Sequence, residues 1–170
     1  MARKISLREF QEGVASRLQA LSEVGPASSK LGLEIGSRLW LVDLMDASEV
    51  VPVPPFTAVP LTRPWLKGVA SIRGNLYTVV DFSAFMGGRP ASAMLESRLL
   101  LVHPKFKVNS GLLVDRMLGL RSPKQFQQKR PGPDQAPWVA AEYTDSANQT
   151  WRELDMAALV GGSEFLRVGL

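Results

Sequence analysis

His103, Asp81 and Asp155 are the residues around which a general acid–base site would have to be built in this chain of 170 residues. Histidine titrates near neutrality, and a carboxylate at the end of an apolar run can be tuned into a base. Each candidate falls short. His103 is the single histidine; it ends the run Leu99–Val102 and precedes Pro104, the setting of a surface strand end rather than of a ligand or base. Asp81 and Asp155 each follow an apolar run and lead into a short apolar stretch that stops at paired glycines, Gly87-Gly88 and Gly161-Gly162. That order describes a helix N-cap, a brief helix and a glycine stop, and no partner group for base catalysis accompanies either aspartate.

Other chemistries lack their parts as well. Without cysteine there is no disulfide, thiolate nucleophile or thiolate metal site. One histidine cannot share a metal with another, and the carboxylates show no calcium-loop spacing. No nucleophile elbow, phosphate loop or dinucleotide loop appears. Asn148-Gln149-Thr150 has the form of a glycosylation sequon but reads as an ordinary turn. Neither catalysis nor a cofactor or metal is expected.

Arg121, Lys124, Lys129 and Arg130 cluster around Phe126, ahead of Pro131-Gly132-Pro133. They read as a solvated loop between strands, or as a contact for phosphate or an acidic patch. The net charge of +4 and pI near 9.7 favour an acidic partner but fall short of a dense nucleic-acid footprint. A basic small-barrel module binding nucleic acid or another acidic partner is therefore the competing reading, weakened by the presence of only two tyrosines as stacking platforms.

With 45% hydrophobic and 21% charged residues the chain can bury a core. Arg8, Glu9, Gln11 and Glu12 interrupt what would be a signal-peptide core, and the apolar runs are too short to span a bilayer, so a cytoplasmic protein without direct membrane insertion is expected. Ser6-Leu7-Arg8-Glu9 has capping-box spacing, and Ile5, Phe10, Val14, Leu18 and Leu21 recur at helical intervals up to Gly25-Pro26. An amphipathic helix over about residues 6–23, within an extension 1–30, would dock on the rest of the chain or on a partner.

From residue 31 short apolar runs alternate with proline and glycine: Leu39–Leu44, Glu49–Val53, Leu76–Val80, Leu99–Val102, Leu112–Leu118 and Trp138–Tyr143. Many short strands indicate a mainly β fold, a sandwich or small barrels. A repeat organises them. Leu41–Met45 resembles Leu113–Met117 at an offset of 72, Pro64-Trp65-Leu66 resembles Pro137-Trp138-Val139 at 73, and Val80–Gly88 resembles Leu154–Gly162 at 74. Two half-domains follow, about 38–88 and 110–162 within a domain 31–165. Units so small would pack on each other and leave a groove.

The stretch Trp65-Leu66-Lys67-Gly68-Val69-Ala70-Ser71-Ile72-Arg73-Gly74-Asn75-Leu76-Tyr77-Thr78-Val79-Val80-Asp81 resembles the signature segment of the CheW-like family. Ala47–Val51 upstream and Ser110–Asp115 downstream match in order, so the likeness runs from about Ile35 to Val160. The N-terminal helix and central segment look most like the branch serving type IV pilus twitching motility. The resemblance implies two five-stranded β-barrels with short helices after each central strand. It also implies a non-catalytic scaffold joining the cytoplasmic tip of a methyl-accepting chemoreceptor to the CheW-like regulatory domain of a CheA-type histidine kinase, recruited through these partners to membrane-bound arrays. No nucleic acid is expected among the partners.

Carried over by position, the kinase- and receptor-binding residues are Ala47, Glu49, Lys67, Gly68, Arg73, Gly111 and Met117. Gly111 and Met117 would line the receptor groove, and Glu49 would pair with Arg73. Ile72 and Thr78 depart from the usual leucine and proline, the latter leaving a sheet edge that pairs differently. On its own residues Arg73-Gly74-Asn75 reads as a hairpin connection, and the resemblance makes Arg73 partner-facing as well.

Overall fold

A computed structural model describes residues 29–92, 94–134 and 136–170; the helix expected over 6–23 lies outside them. Eleven strands dominate: β1 (Lys30–Ile35), β2 (Arg38–Asp43), β3 (Ala47–Pro52), β4 (Leu66–Ile72), β5 (Asn75–Asp81), β6 (Arg98–Val102), β7 (Ser110–Val114), β8 (Arg116–Arg121), β9 (Phe126–Pro131), β10 (Val139–Asp145) and β11 (Thr150–Leu154). Three short α-helices accompany them: α1 (Phe82–Phe85) follows β5, and α2 (Met156–Gly161) and α3 (Ser163–Leu166) follow β11. The mainly β reading holds.

The strands form a six-stranded sheet in the order β8-β1-β2-β11-β10-β9 and a five-stranded sheet in the order β3-β6-β7-β5-β4. Both curl. The five-stranded sheet brings its edges β3 and β4 within side-chain reach, and a turn over Pro123–Gln125 holds the edges β8 and β9 of the other together at one end. We call them the first barrel (β3–β7) and the second barrel (the remaining strands).

Two expectations need correction here. One barrel has six strands rather than five, and the barrels do not follow the halves 38–88 and 110–162. The hairpin β1–β2 of the first repeat lies in the second barrel, and the hairpin β6–β7 of the second repeat lies in the first. Corresponding strands occupy corresponding places, with the hairpins exchanged. The exchange creates the two parallel ladders, β2 on β11 and β5 on β7. Sequence similarity says which segments are equivalent and nothing about which copy they pair with, so the repeat was legible and the exchange was not. The expected run Leu112–Leu118 is likewise divided at Asp115, whose carboxylate accepts from the Gly36 amide at 2.6 Å as the chain passes between barrels.

Alternation along the central strands sends one face into a barrel and the other into the core between barrels, while the edge strands β3, β8 and β9 stay half-buried or exposed. On β6, Leu99 and Leu101 join Ala70 and Val79 inside the first barrel, while Leu100 and Val102 join the core shared by both sheets. That shared core gathers Leu33, Trp40, Leu112, Leu154, Met156 and other buried side chains. Burial of each such large side chain contributes about 1.5–3 kcal/mol, enough to bind two marginal barrels into one unit.

The aspartates act as expected. Asp81 accepts from the Ala84 amide at 3.0 Å and Asp155 from the Ala158 amide at 2.9 Å, each capping its helix. Their own amides donate to Trp65 and Trp138, carbonyls 73 residues apart. Gly87, in the left-handed region at φ 78°, supplies the stop after α1. His103 accepts from the Lys105 amide through Nδ1 at 3.1 Å, a cap for the turn Pro104–Phe106.

The segment 121–133, expected to be a loop, instead forms the turn Pro123–Gln125 and β9. Glutamine and proline disguise the strand. What holds it is the ladder to β10 and the packing of Phe126 on Tyr143 and Trp151, with centroids 5.3 and 5.9 Å apart.

Candidate partner-binding surface

Arg73 and Gly74 form the two-residue turn between β4 and β5, with φ of 50° and 83°. Positive φ at both central positions gives the primed turn whose twist matches a hairpin, and Gly74 adopts it without steric cost. The turn projects Arg73 across the seam toward Glu49 on β3, the opposite edge of the same sheet. Nη1 donates to Oε2 and Nη2 to Oε1, both at 2.6 Å. This is a bidentate fork, and it fixes both the distance and the angle between two strands that share no ladder. The side chains are 73% and 34% exposed. Glu49, by hydrogen bond and then by charge, raises the Arg73 pKa, so the guanidinium stays charged.

Gly68 makes that closure possible. Its φ is 151°, and a Cβ there would stand 2.1 Å from the Thr57 carbonyl oxygen. The missing side chain lets the segment after β3 lie on β4, where the Thr57 and Val69 amides and carbonyls exchange bonds of 2.8 and 2.9 Å. Gly68 therefore holds the seam below the Arg73–Glu49 pair. Ala47 begins β3, half-buried against the shared core.

The remaining predicted residues disperse. Lys67 lies at the far end of β4, roughly 20 Å from Arg73 at strand rise, and its ammonium sits 3.6 Å from the buried Asp81 carboxylate. Met117 is exposed on β8, on the second barrel opposite Leu33. Gly111 lies inside the first barrel: a Cβ on it would meet the Leu99 side chain at 2.6 Å. It makes room for Leu99 and cannot line a surface groove as expected; its place in the middle of a buried strand is the reason.

Sequence reasoning misses Leu76. It is 64% exposed beside the turn, opposite Ser71 and three residues from Arg73. The apolar run around it conceals which member faces out, and only strand alternation in a known register could have found it. A charged fork with an exposed leucine beside it is an arrangement for binding a protein surface, with a desolvable anchor next to an oriented charge pair. Among the described residues no group of three or more His, Asp or Glu side chains could hold a metal, and no helix is long and apolar enough to cross a membrane.

Comparison with known proteins adds to this geometry. Residues 30–164 match the family described as the CheW-like domain. Protein PilI of Pseudomonas aeruginosa is 32% identical over 108 residues, 64% of this chain and 60% of that protein. A probable chemotaxis protein CheW of Rhizobium etli is 29% identical over 85 residues, 50% of this chain and 54% of that one. The chain thus spans between half and two thirds of the length of these curated relatives. Among solved structures, the scaffolding protein TtCheW from Thermoanaerobacter tengcongensis has the same fold, with a TM-score of 0.66 at 17% identity, covering 81% of this chain and 95% of that one.

Proposed function

The chain belongs to the CheW-like family, and from that premise we propose that it is a non-catalytic adaptor coupling a methyl-accepting chemoreceptor to a CheA-type histidine kinase. The pathway would control type IV pilus twitching motility, a reading supported by the likeness to PilI. The adaptor would act in the cytoplasm and reach receptor arrays through its partners.

The observation that carries this reading is the exposed Arg73–Glu49 fork across the seam of the first barrel, with Leu76 beside it. In water such a pair contributes little to folding. Its value lies in orientation, because a partner that covers it meets charges already fixed in place and loses little side-chain entropy. Coupling then needs no chemistry. Two partners held on one rigid unit are brought to a high effective concentration. The kinase regulatory domain would take the Arg73 surface, and the receptor tip would take a surface shared with the second barrel, where Met117 is exposed.

Calorimetric titration of the chain with the CheW-like regulatory domain of the cognate kinase tests this. Saturable binding is expected, weakened about tenfold or more by Arg73→Glu while the melting transition stays in place. Absence of binding at tens of micromolar, or an unchanged affinity in the variant, contradicts the proposal.

A further inference from the structure

The second barrel ends in a sixth strand, β9, that has no counterpart in the first. β9 pairs with β10 along one side, and its other side borders the seam to β8 with no ladder across it among the described residues. At the mouth of that seam an open cavity of about 470 Å³ is lined by Arg121, Lys124, Phe126, Gln149 and Trp151 among others. The corresponding mouth of the first barrel is shut by the Arg73–Glu49 fork. Here the position equivalent to Glu49, 72 residues on, is an arginine. The guanidinium of Arg121 lies 5.1 Å from the Trp151 ring, and its Nε is buried with no hydrogen-bond partner among the described residues.

The carboxylate lining this cavity is already engaged. Asp145 accepts from the Trp151 indole at 2.8 Å and from the Ala147 and Gln149 amides at 2.9 Å each. Among the described residues Arg121, Lys124, Lys129 and Arg130 make no ion pair within 4 Å, as is also true of cations elsewhere such as Arg38 and Lys107. Arg121 acts by charge on Asp145 and Lys129 on Glu153, while Lys124 and Arg130 are exposed at the edge itself.

We propose that β9 and the adjoining cavity bind an extended acidic peptide segment, which adds to the second barrel as a further strand and sets its carboxylates on Arg121, Lys124 and Arg130. A free strand edge offers alternating amide donors and carbonyl acceptors, and a peptide backbone answers both. A phosphodiester supplies acceptors alone. Phe126 is packed at a tilt and edge-on against Tyr143 and Trp151, so these rings form no flat platform for bases. Like charges on the edge bar a second copy of β9 from pairing, and the same charges admit an acidic strand. The site is separate from the Arg73 surface and stands whether or not that surface binds a kinase.

The test is an NMR titration of the full chain, labelled with nitrogen-15, with an acetylated hexapeptide of alternating glutamate and valine. Saturable shifts are expected at the β9 amides and the Trp151 indole. Binding should weaken about tenfold in a Lys124→Glu, Arg130→Glu variant, both positions being exposed and free of core contacts. N-methylation of alternate peptide amides should abolish binding in one phase and spare it in the other. The proposal is overturned by any of four results: no shift at millimolar peptide, unchanged affinity in the variant, tolerance of N-methylation in both phases, or equal binding of an oligothymidylate at the same amides.

Discussion

In the first barrel, Ala70 and Val79 face an interior completed by Leu99 and Leu101. The equivalent positions in the second barrel, 73 and 74 residues on, are Tyr143 and Glu153. There Glu153 receives hydrogen bonds from Lys30 at 2.6 Å and from Tyr143 at 2.8 Å, and Lys30 reaches Asp43 at 3.2 Å. On the opposite strand face, and at the first residue of the helices that follow, the copies agree: Leu66 and Val139, Val80 and Leu154, Phe82 and Met156 all enter the shared core. These shared-core pairs kept their character, while the two interior positions changed from apolar to polar, although Leu41 and Leu113, buried on the interior face of β2 and β7, remain identical. The shared core is what an exchange of hairpins demands, because β2 and β7 must each satisfy a foreign sheet. Each interior answers only to itself, so one closes with hydrocarbon alone and the other adds an ion-pair network to the packing of Phe126, Tyr143 and Trp151.

The largest effect should come from filling the first interior. Gly111→Val forces Leu99 aside and should destabilise by about 3 kcal/mol in chemical denaturation. Any loss of partner binding would then track unfolding. A folded variant that fails to bind would instead restore Gly111 to the surface.

Next comes breaking the second interior. Glu153→Val leaves Lys30 with Asp43 alone and the Tyr143 hydroxyl without its acceptor, and with Lys30 and Glu153 about one-sixth exposed a cost of about 2 kcal/mol is expected after solvent screening. Adding Lys30→Met and Tyr143→Phe should return stability to within about 1 kcal/mol of wild type, since apolar residues can replace a buried pair. Failure of that rescue would mean the two interiors are not interchangeable.

The same network sets a pH window. Burial pushes the Glu153 carboxyl up, but hydrogen bonds from Lys30 and Tyr143 outweigh it and hold the pKa below its ordinary 4.5. Burial pushes the Lys30 ammonium down, but Glu153 and Asp43 outweigh it and hold it above 10.5. Burial and then the bond to Glu153 raise the Tyr143 phenol above 10.0. A lowered acid gives stability present above 4.5 and lost as pH falls through the folded value. The raised groups give stability present below about 10 and lost as pH rises through theirs. Urea midpoints of wild type and the triple variant should therefore run parallel between these limits, with wild type falling relative to the variant in acid and in alkali; parallel curves throughout would exclude the network as the cause.

A smaller contrast lies in the caps. Asp81 also accepts from the Ala91 amide at 2.8 Å and faces Lys67, whereas among the described residues the Asp155 carboxylate makes its cap bond alone. Asp81→Ala should cost about 2 kcal/mol and Asp155→Ala about 1. Equal losses would show that the loop before β6 draws no support from Asp81. The smallest effect on folding belongs to Arg73→Glu, which should leave the melting temperature within about 2 °C of wild type.

What could be read from the chain followed from local rules. The caps at Asp81 and Asp155, the turn at Arg73-Gly74 and the repeat each depend on neighbouring residues or on a fixed offset. The Glu49–Arg73 pair was legible through the family resemblance, since nothing near Glu49 in sequence announces a partner 24 residues away. The hairpin exchange, the burial of Gly111 and the strand β9 depend on contacts between distant segments, and composition alone conceals them.

The central claim is that this chain joins two proteins, and a co-sedimentation assay addresses it most directly. Full-length kinase would be mixed with an immobilised receptor-tip coiled coil, with and without the chain. Kinase should pellet only when the chain is present, and the Arg73→Glu chain should still bind the receptor while leaving the kinase in the supernatant. Kinase that pellets equally without the chain, or equally with the variant, would contradict the account.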